Sequence, residues 1–172
     1  MKKIKTGILF IILVNFQILT SCINPFAPAA IYGDIDLPPL GDQKTIEGFF
    51  QNFLYAYNLR DTVVYGNLLA DDFTFFYRNY EKTLDLSLSR QEDMLTTYRL
   101  FNAAQNLNFI WNEMVINDGN ELERVIARSF NLTITFSQMD IVRIHGRVYF
   151  ILKRNSDNDD WKLHTWRDES NY

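Results

Sequence analysis

The chain has 172 residues, with 17 Lys and Arg against 21 Asp and Glu, a formal charge of −4 and 15% aromatic side chains. An acidic chain with no Lys/Arg cluster in its body is a poor binder of nucleic acid, where affinity comes largely from phosphate neutralisation. A single cysteine excludes an intramolecular disulfide, and with only two histidines it gives no expectation of a metal site or cofactor.

Lys2, Lys3 and Lys5 precede an apolar run at 8–14, which Phe16, Ile18 and Leu19 extend almost to Cys22. A basic start followed by an apolar core describes an export signal. A spanning helix needs about 20 apolar residues, and Asn15 and Gln17 interrupt this run. Leu19-Thr20-Ser21-Cys22 resembles the lipobox of bacterial lipoproteins. The resemblance implies diacylglyceryl transfer to the Cys22 sulfur, cleavage before Cys22 and acylation of the new amine. Each buried CH₂ contributes about 0.8 kcal/mol, so two or more chains hold a protein to a bilayer without a spanning helix. In the Gram-negative sorting rule an Asp after the cysteine retains the protein at the inner membrane. Ile23 stands there, so the expectation is a lipid-anchored protein of the bacterial cell envelope, at the outer membrane and facing the periplasm or the surface.

Cleavage after residue 21 leaves 151 residues, the size of one domain. Losing the three signal lysines leaves 14 basic against 21 acidic residues, a formal charge of −7. All four prolines lie at 22–42, along with Gly33 and Gly41, and that segment reads as a semi-stiff tether. Residues 43–172 read as the domain.

Within the domain Ile46, Phe49, Phe50, Phe53, Leu54 and Tyr57 form a helical apolar stripe, with Asp42 expected as N-cap. Asp61 is expected to cap a short second helix that closes at Ala70-Asp71. Phe73, Phe75 and Tyr77 alternate as in a strand. Ser89-Arg90-Gln91-Glu92 matches a capping box and opens a third helix to about Ala104. Met94, Leu95, Tyr98 and Phe101 are expected to form its apolar face. Four strands follow, at 107–117, 123–136, 141–154 and 161–168, the first two joined by the turn Asn117-Asp118-Gly119-Asn120. In the second of them Ile126, Phe130, Leu132, Ile134 and Phe136 share one parity, and their alternates are polar. One face of the sheet is therefore buried and the other wet. The order predicts an α+β fold of about three helices packed on a curved antiparallel sheet of about five strands.

Three stretches carry a further resemblance. Phe53-Leu54-Tyr55-Ala56-Tyr57 leads through Asp61 to Leu68-Leu69-Ala70-Asp71-Asp72-Phe73, and Gly146-Arg147-Val148-Tyr149-Phe150-Ile151-Leu152 is followed by Trp161-Lys162-Leu163-His164-Thr165-Trp166-Arg167-Asp168. Together they resemble the NTF2-like superfamily, the cystatin-like cone, including its SnoaL-like and ketosteroid-isomerase-like members. That resemblance implies a cone-shaped apolar pocket between the first helix and the curved sheet. It also implies that homodimers form through the sheet.

The candidate ligand-binding residues are Tyr57, Tyr77, Trp111 and Arg128. The ketosteroid-isomerase-like members pair an Asp base on a strand with a helical Tyr. Tyr55 or Tyr57 could be that phenol, but no strand carries an acid at its apolar middle, Glu113 coming nearest. The SnoaL-like members use His/Asp pairs, and for them His145, His164 and Asp168, with Tyr57, are the candidate catalytic groups. Trp111, Trp161 and Trp166 read first as core and sheet-edge packing rather than a ligand platform. Arg128, Arg143 and Arg147 could clamp an anionic ligand, but read first as a solvated face paired with Glu113, Glu121 or Asp140. No phosphate-binding glycine loop and no G-x-S-x-G occurs. The expectation is therefore a membrane-anchored protein that binds a small apolar ligand or an envelope protein. The alternative is a small-molecule isomerase, dehydratase or hydrolase of SnoaL-like type.

Overall fold

The computed structural model describes residues 39–79 and 83–169. The expected export signal, Cys22 and the expected tether up to residue 38 lie outside them. Helix α1 spans Ile46–Leu59, α2 Thr62–Leu68 and α3 Arg90–Ala103. The strands are β1 Leu69–Asn79, β2 Leu84–Ser89, β3 Asn106–Gly119, β4 Glu123–Ser137, β5 Asp140–Lys153 and β6 Lys162–Asp168. They form one sheet in the order β2-β1-β6-β5-β4-β3. Adjacent strands are antiparallel except β1 and β6, which run parallel. The α+β architecture is the expected one, with six strands rather than five and a mixed sheet.

Local chemistry sets the element ends. Thr45, not Asp42, caps α1: its Oγ1 accepts the Gly48 N–H at 3.0 Å. Asp42 is occupied by the preceding turn, where its carboxylate takes the Lys44 N–H and its carbonyl the Thr45 N–H. Arg60, at φ 59°, ends α1 in the left-handed region, an arrangement that costs a non-glycine residue roughly 1 kcal/mol. Its side chain is anchored there by donating to the Ala104 carbonyl at 2.6 Å. Asp61 caps α2 as expected, accepting from Val63 N and Val64 N. That helix stops at Leu68, earlier than expected, because Leu69 already pairs with Leu163 of β6. The extra strand β2 comes from the short alternation Leu84-Asp85-Leu86-Ser87-Leu88-Ser89, paired along β1 from Asn79↔Leu84 to Thr74↔Ser89. The capping box at Ser89 and Glu92 is present in both directions. It holds the Glu92 carboxyl below its ordinary value, chiefly through the Ser89 backbone N–H.

The helices cover one face of the sheet. Phe49, Phe50 and Phe53 of α1 meet Trp111 of β3 and Phe150 of β5, and the cone is solid beneath α1. In β4 the expected parity holds, with Ile126, Phe130, Leu132 and Ile134 all buried. Helix α3 departs from expectation. Leu95 and Tyr98 are 48% and 55% exposed, and the inward face is Asp93, Thr97 and Phe101, with Met94 and Leu100 at its flanks. Phe101 is buried as expected, but the line of contact runs from it through Thr97 to Asp93. A count of apolar residues cannot find such a face.

The described residues just before α1, from Pro39, also belong to the packed unit. Gly41 gives its N–H to Asn52 Oδ1 at 2.7 Å and receives Asn52 Nδ2 at 3.1 Å, while Gln51 donates to the Pro39 carbonyl. Gly48 makes this crossing possible: a Cβ there would lie 2.0 Å from the Asp42 carbonyl oxygen. Gly48→Ala should therefore detach the strap and leave the buried Asn52 amide without its partners, at a cost of about 1–3 kcal/mol. Urea unfolding checks this, together with a chain starting at Gln43 that should lose a similar amount. Stability equal to the parent's in both would mean the strap contributes nothing.

Candidate functional site

Beneath α3 the cone stays open. A cavity of about 240 Å³ lies between α3 and the inner face of the sheet, and all six strands reach it. Its walls are mostly apolar and aromatic, among them Phe75, Phe109, Phe130 and Trp166. Its polar lining consists of Tyr57 from α1, Asp93, Thr96 and Thr97 from α3, and Asp168 from β6. No Lys, Arg or His lines it.

Asp93 dominates the chemistry. It occupies the first turn of α3, one residue past the capping-box glutamate, and is only 6% exposed. Tyr65 of α2 has no exposed surface, and its hydroxyl donates to Asp93 Oδ2 at 2.8 Å. Burial pushes the Asp93 carboxyl up to about 6, the Tyr65 hydrogen bond offsetting part of that rise. The Tyr65 phenol is driven well above its ordinary value by burial first, then by its neighbours Tyr57 and Asp93. Trp166 closes the cavity toward the filled half of the cone, its ring packed against Phe53, Phe75 and Phe150. Its enclosed indole N–H has no acceptor among the described residues.

The residues singled out in the sequence fall in different places. Tyr57 and Asp168 line the cavity. Asp168 also borders an adjoining recess of about 260 Å³ that contains Tyr77, Arg78, Asp85 and Arg167. Trp111 belongs to the filled half, where its indole donates to the Phe50 carbonyl at 3.1 Å. Arg128 lies over the rings of Phe50 and Trp111, 4.8 and 5.4 Å from their centroids, and donates to the Asn112 carbonyl. Partial burial lowers its pKa.

His145 is exposed, opposite Asn131 on β4, on the parity of β5 that faces away from the buried Val148 and Phe150. His164 sits 2.8 Å from Asp72 Oδ1 in a polar groove outside the cone. The trio His145, His164 and Asp168 is therefore not assembled. Among the described residues no group of three or more His, Cys, Asp or Glu could hold a metal ion.

Asp93, Tyr65 and Thr97 were absent from the sequence candidates. The one available signal was spacing. Counted from the capping box, Asp93 and Thr97 lie eight and four residues before Phe101 and so share its face.

No protein-family model matches the chain, and no curated protein matches it in sequence. Solved structures do. A protein provisionally termed a scytalone dehydratase, from Novosphingobium aromaticivorans, aligns with TM-score 0.63 at 11% identity, over 74% of this chain and 82% of its own. An NTF2-like protein of unknown function in nutrient uptake, from Rhodospirillum rubrum, gives TM-score 0.60 at 16% identity, over 74% and 99%. An NTF2-like protein from Cytophaga hutchinsonii gives 0.59 at 13% identity, over 73% and 95%. At these identities the likeness is one of fold, and the fold is NTF2-like.

The raised pKa of Asp93 has a consequence for stability. A carboxyl whose folded pKa lies above its unfolded value stabilises the fold most at low pH. That contribution is lost as pH rises from about 4 through about 6. Asp93→Asn retains an acceptor for Tyr65 and removes the titration. Between about pH 4.5 and 7.5 the variant should gain about 2 kcal/mol relative to the parent chain, read from urea midpoints at the two pH values. Parallel profiles would place the Asp93 pKa near its ordinary value.

Proposed function

We propose that this protein binds a small, largely apolar molecule in the open half of an NTF2-like cone, and that lipidated Cys22 holds it at a bacterial membrane. The observation that carries the binding reading is the cavity under α3. A cavity of about 150 Å³ lined by apolar groups accepts benzene, so about 240 Å³ suits a molecule of one to two rings. Its walls are apolar with a few polar groups at fixed points, the ordinary make-up of a small-molecule site. The anchoring half of the reading rests on Lys2, Lys3, Lys5 and the Leu19-Thr20-Ser21-Cys22 stretch.

Asp93 supports a second reading. A carboxyl titrating at about 6 in a largely apolar pocket suits acid–base chemistry on a bound molecule. Turnover that follows that ionisation and disappears in Asp93→Asn would turn the binder into an enzyme.

Ile144 lines the cavity from β5 and is partly buried. Ile144→Trp should fill the space at a cost of about 1–3 kcal/mol and abolish binding of ring-sized probes in a thermal-shift screen. Probes that still bind as before must sit elsewhere. Cys22→Ser should remove lipid labelling and release the protein from the membrane fraction. An unlabelled protein that stays with the membrane would show an uncleaved span.

A further inference from the structure

The cavity has a charge character as well as a size. Its lining contains two carboxylic acids, Asp93 and Asp168, and no basic side chain. A buried carboxylate in apolar surroundings is unfavourable unless a hydrogen bond or a counter-charge compensates it. Tyr65 gives Asp93 one neutral hydrogen bond, and the cavity itself provides no cation. Arg90, three residues before Asp93 on α3, donates to the Gly66 carbonyl and lines the outer groove. Arg128 is held on the filled side over Phe50 and Trp111.

The walls carry the other half of the pattern. Tyr57, Phe75, Phe109, Phe130 and Trp166 present aromatic rings to the same space. Aromatic faces attract cations, by about 0.5–2 kcal/mol each as desolvation increases. An acid with several rings around a largely apolar pocket is the chemistry that recognises an ammonium group. An anionic ligand would meet two carboxylates, and a neutral one would leave Asp93 without a counter-charge.

We propose that the ligand of the cone is an organic cation, a one- or two-ring molecule whose ammonium group is held by Asp93 and the surrounding aromatic rings. This deepens the reading that the cone binds a small molecule and rests on it. Asp93 is the anchor, because Asp168 stands where the cavity meets the outer recess and is shared with Arg78 and Arg167 there.

Cation binding should strengthen as Asp93 loses its proton. Tyr65 from α2 touches Asp93, and the other titratable groups of the cavity lining are Tyr57 from α1 and Asp168 from β6, while β1 and β2 contribute Phe75 and Leu88. On α3 itself Glu92 is engaged in the capping box.

Two probes of nearly the same shape test this, phenyltrimethylammonium and tert-butylbenzene, with phenylacetate as the anion. The first carries a permanent charge, so any pH effect on its binding belongs to the protein. The whole chain in a nonionic detergent is titrated with each, following tryptophan fluorescence and melting temperature. The expected result at pH 8 is binding of phenyltrimethylammonium at least tenfold tighter than tert-butylbenzene, with no binding of phenylacetate. At pH 5 the cation should bind about tenfold more weakly, because most of Asp93 is then protonated. In Asp93→Asn both the preference for the cation and its pH dependence should collapse. If tert-butylbenzene binds as tightly as the cation, the charge assignment is overturned while the cone remains a binding site. If none of the three binds, the cone reading and the charge assignment fall together.

Discussion

The fold turns on the placement of one ring. Phe53 of α1 lies 4.9 Å from the Tyr57 centroid, 5.3 Å from Trp111, 5.6 Å from Phe109 and Trp166, 5.7 Å from Phe150 and 5.9 Å from Tyr65. It thereby joins α1 to α2 and to the strands β3, β5 and β6. Aromatic pairs in such arrangements contribute about 0.5–1.5 kcal/mol each beyond the burial of their area. With α1 fixed along this line, its upstream rings Phe49 and Phe50 fill the cone on one side.

The same constraint leaves the other side to α3. That helix carries a mixed face inward, Asp93 and Thr97 beside Phe101, and cannot seal the space as three phenylalanines do under α1. An apolar residue at 93 would be expected to pack without the desolvation that a carboxyl suffers there. A fold that keeps an acid in its core accepts lower stability at that point. Perturbed acids of this kind concentrate at functional sites. Size, aromatic walls and the sign of the charge all converge on the same pocket.

The outer groove is a useful contrast. His164, Asp72, Arg154 and Lys162 gather there, and they attract notice in a sequence as chemistry-bearing side chains. Their contacts, however, are those of a solvated surface. His164 meets an exposed Asp72, Arg154 reaches the Glu121 and Asp157 carbonyls, and Lys162 donates to the Asn67 carbonyl. None of these groups is both enclosed and short of a partner charge, which is the condition that sets Asp93 apart.

Patterns that repeat along the chain determined much of this protein. The i, i+3, i+4 spacing of Phe49, Phe50 and Phe53 specified α1, and the parity of Phe130, Leu132 and Ile134 specified the buried face of β4. Ser89 and Glu92 fixed the start of α3, because capping is a contact between residues three apart. The α+β order and the resemblance to the NTF2-like cone followed from these elements. Tertiary packing decided the rest. The rotation of α3 follows from its fit beside Tyr65 and β1, so which of Asp93, Leu95 and Tyr98 points inward depends on partners distant in sequence. Likewise β2 is too short and too exposed to be specified by its own alternation, and it exists because β1 offers it an edge. The acid in the cavity was hidden for the same physical reason. Burial is a property of what surrounds a side chain, and Asp93 is enclosed by Tyr65 of α2 and by a cavity lining drawn from α1 and all six strands.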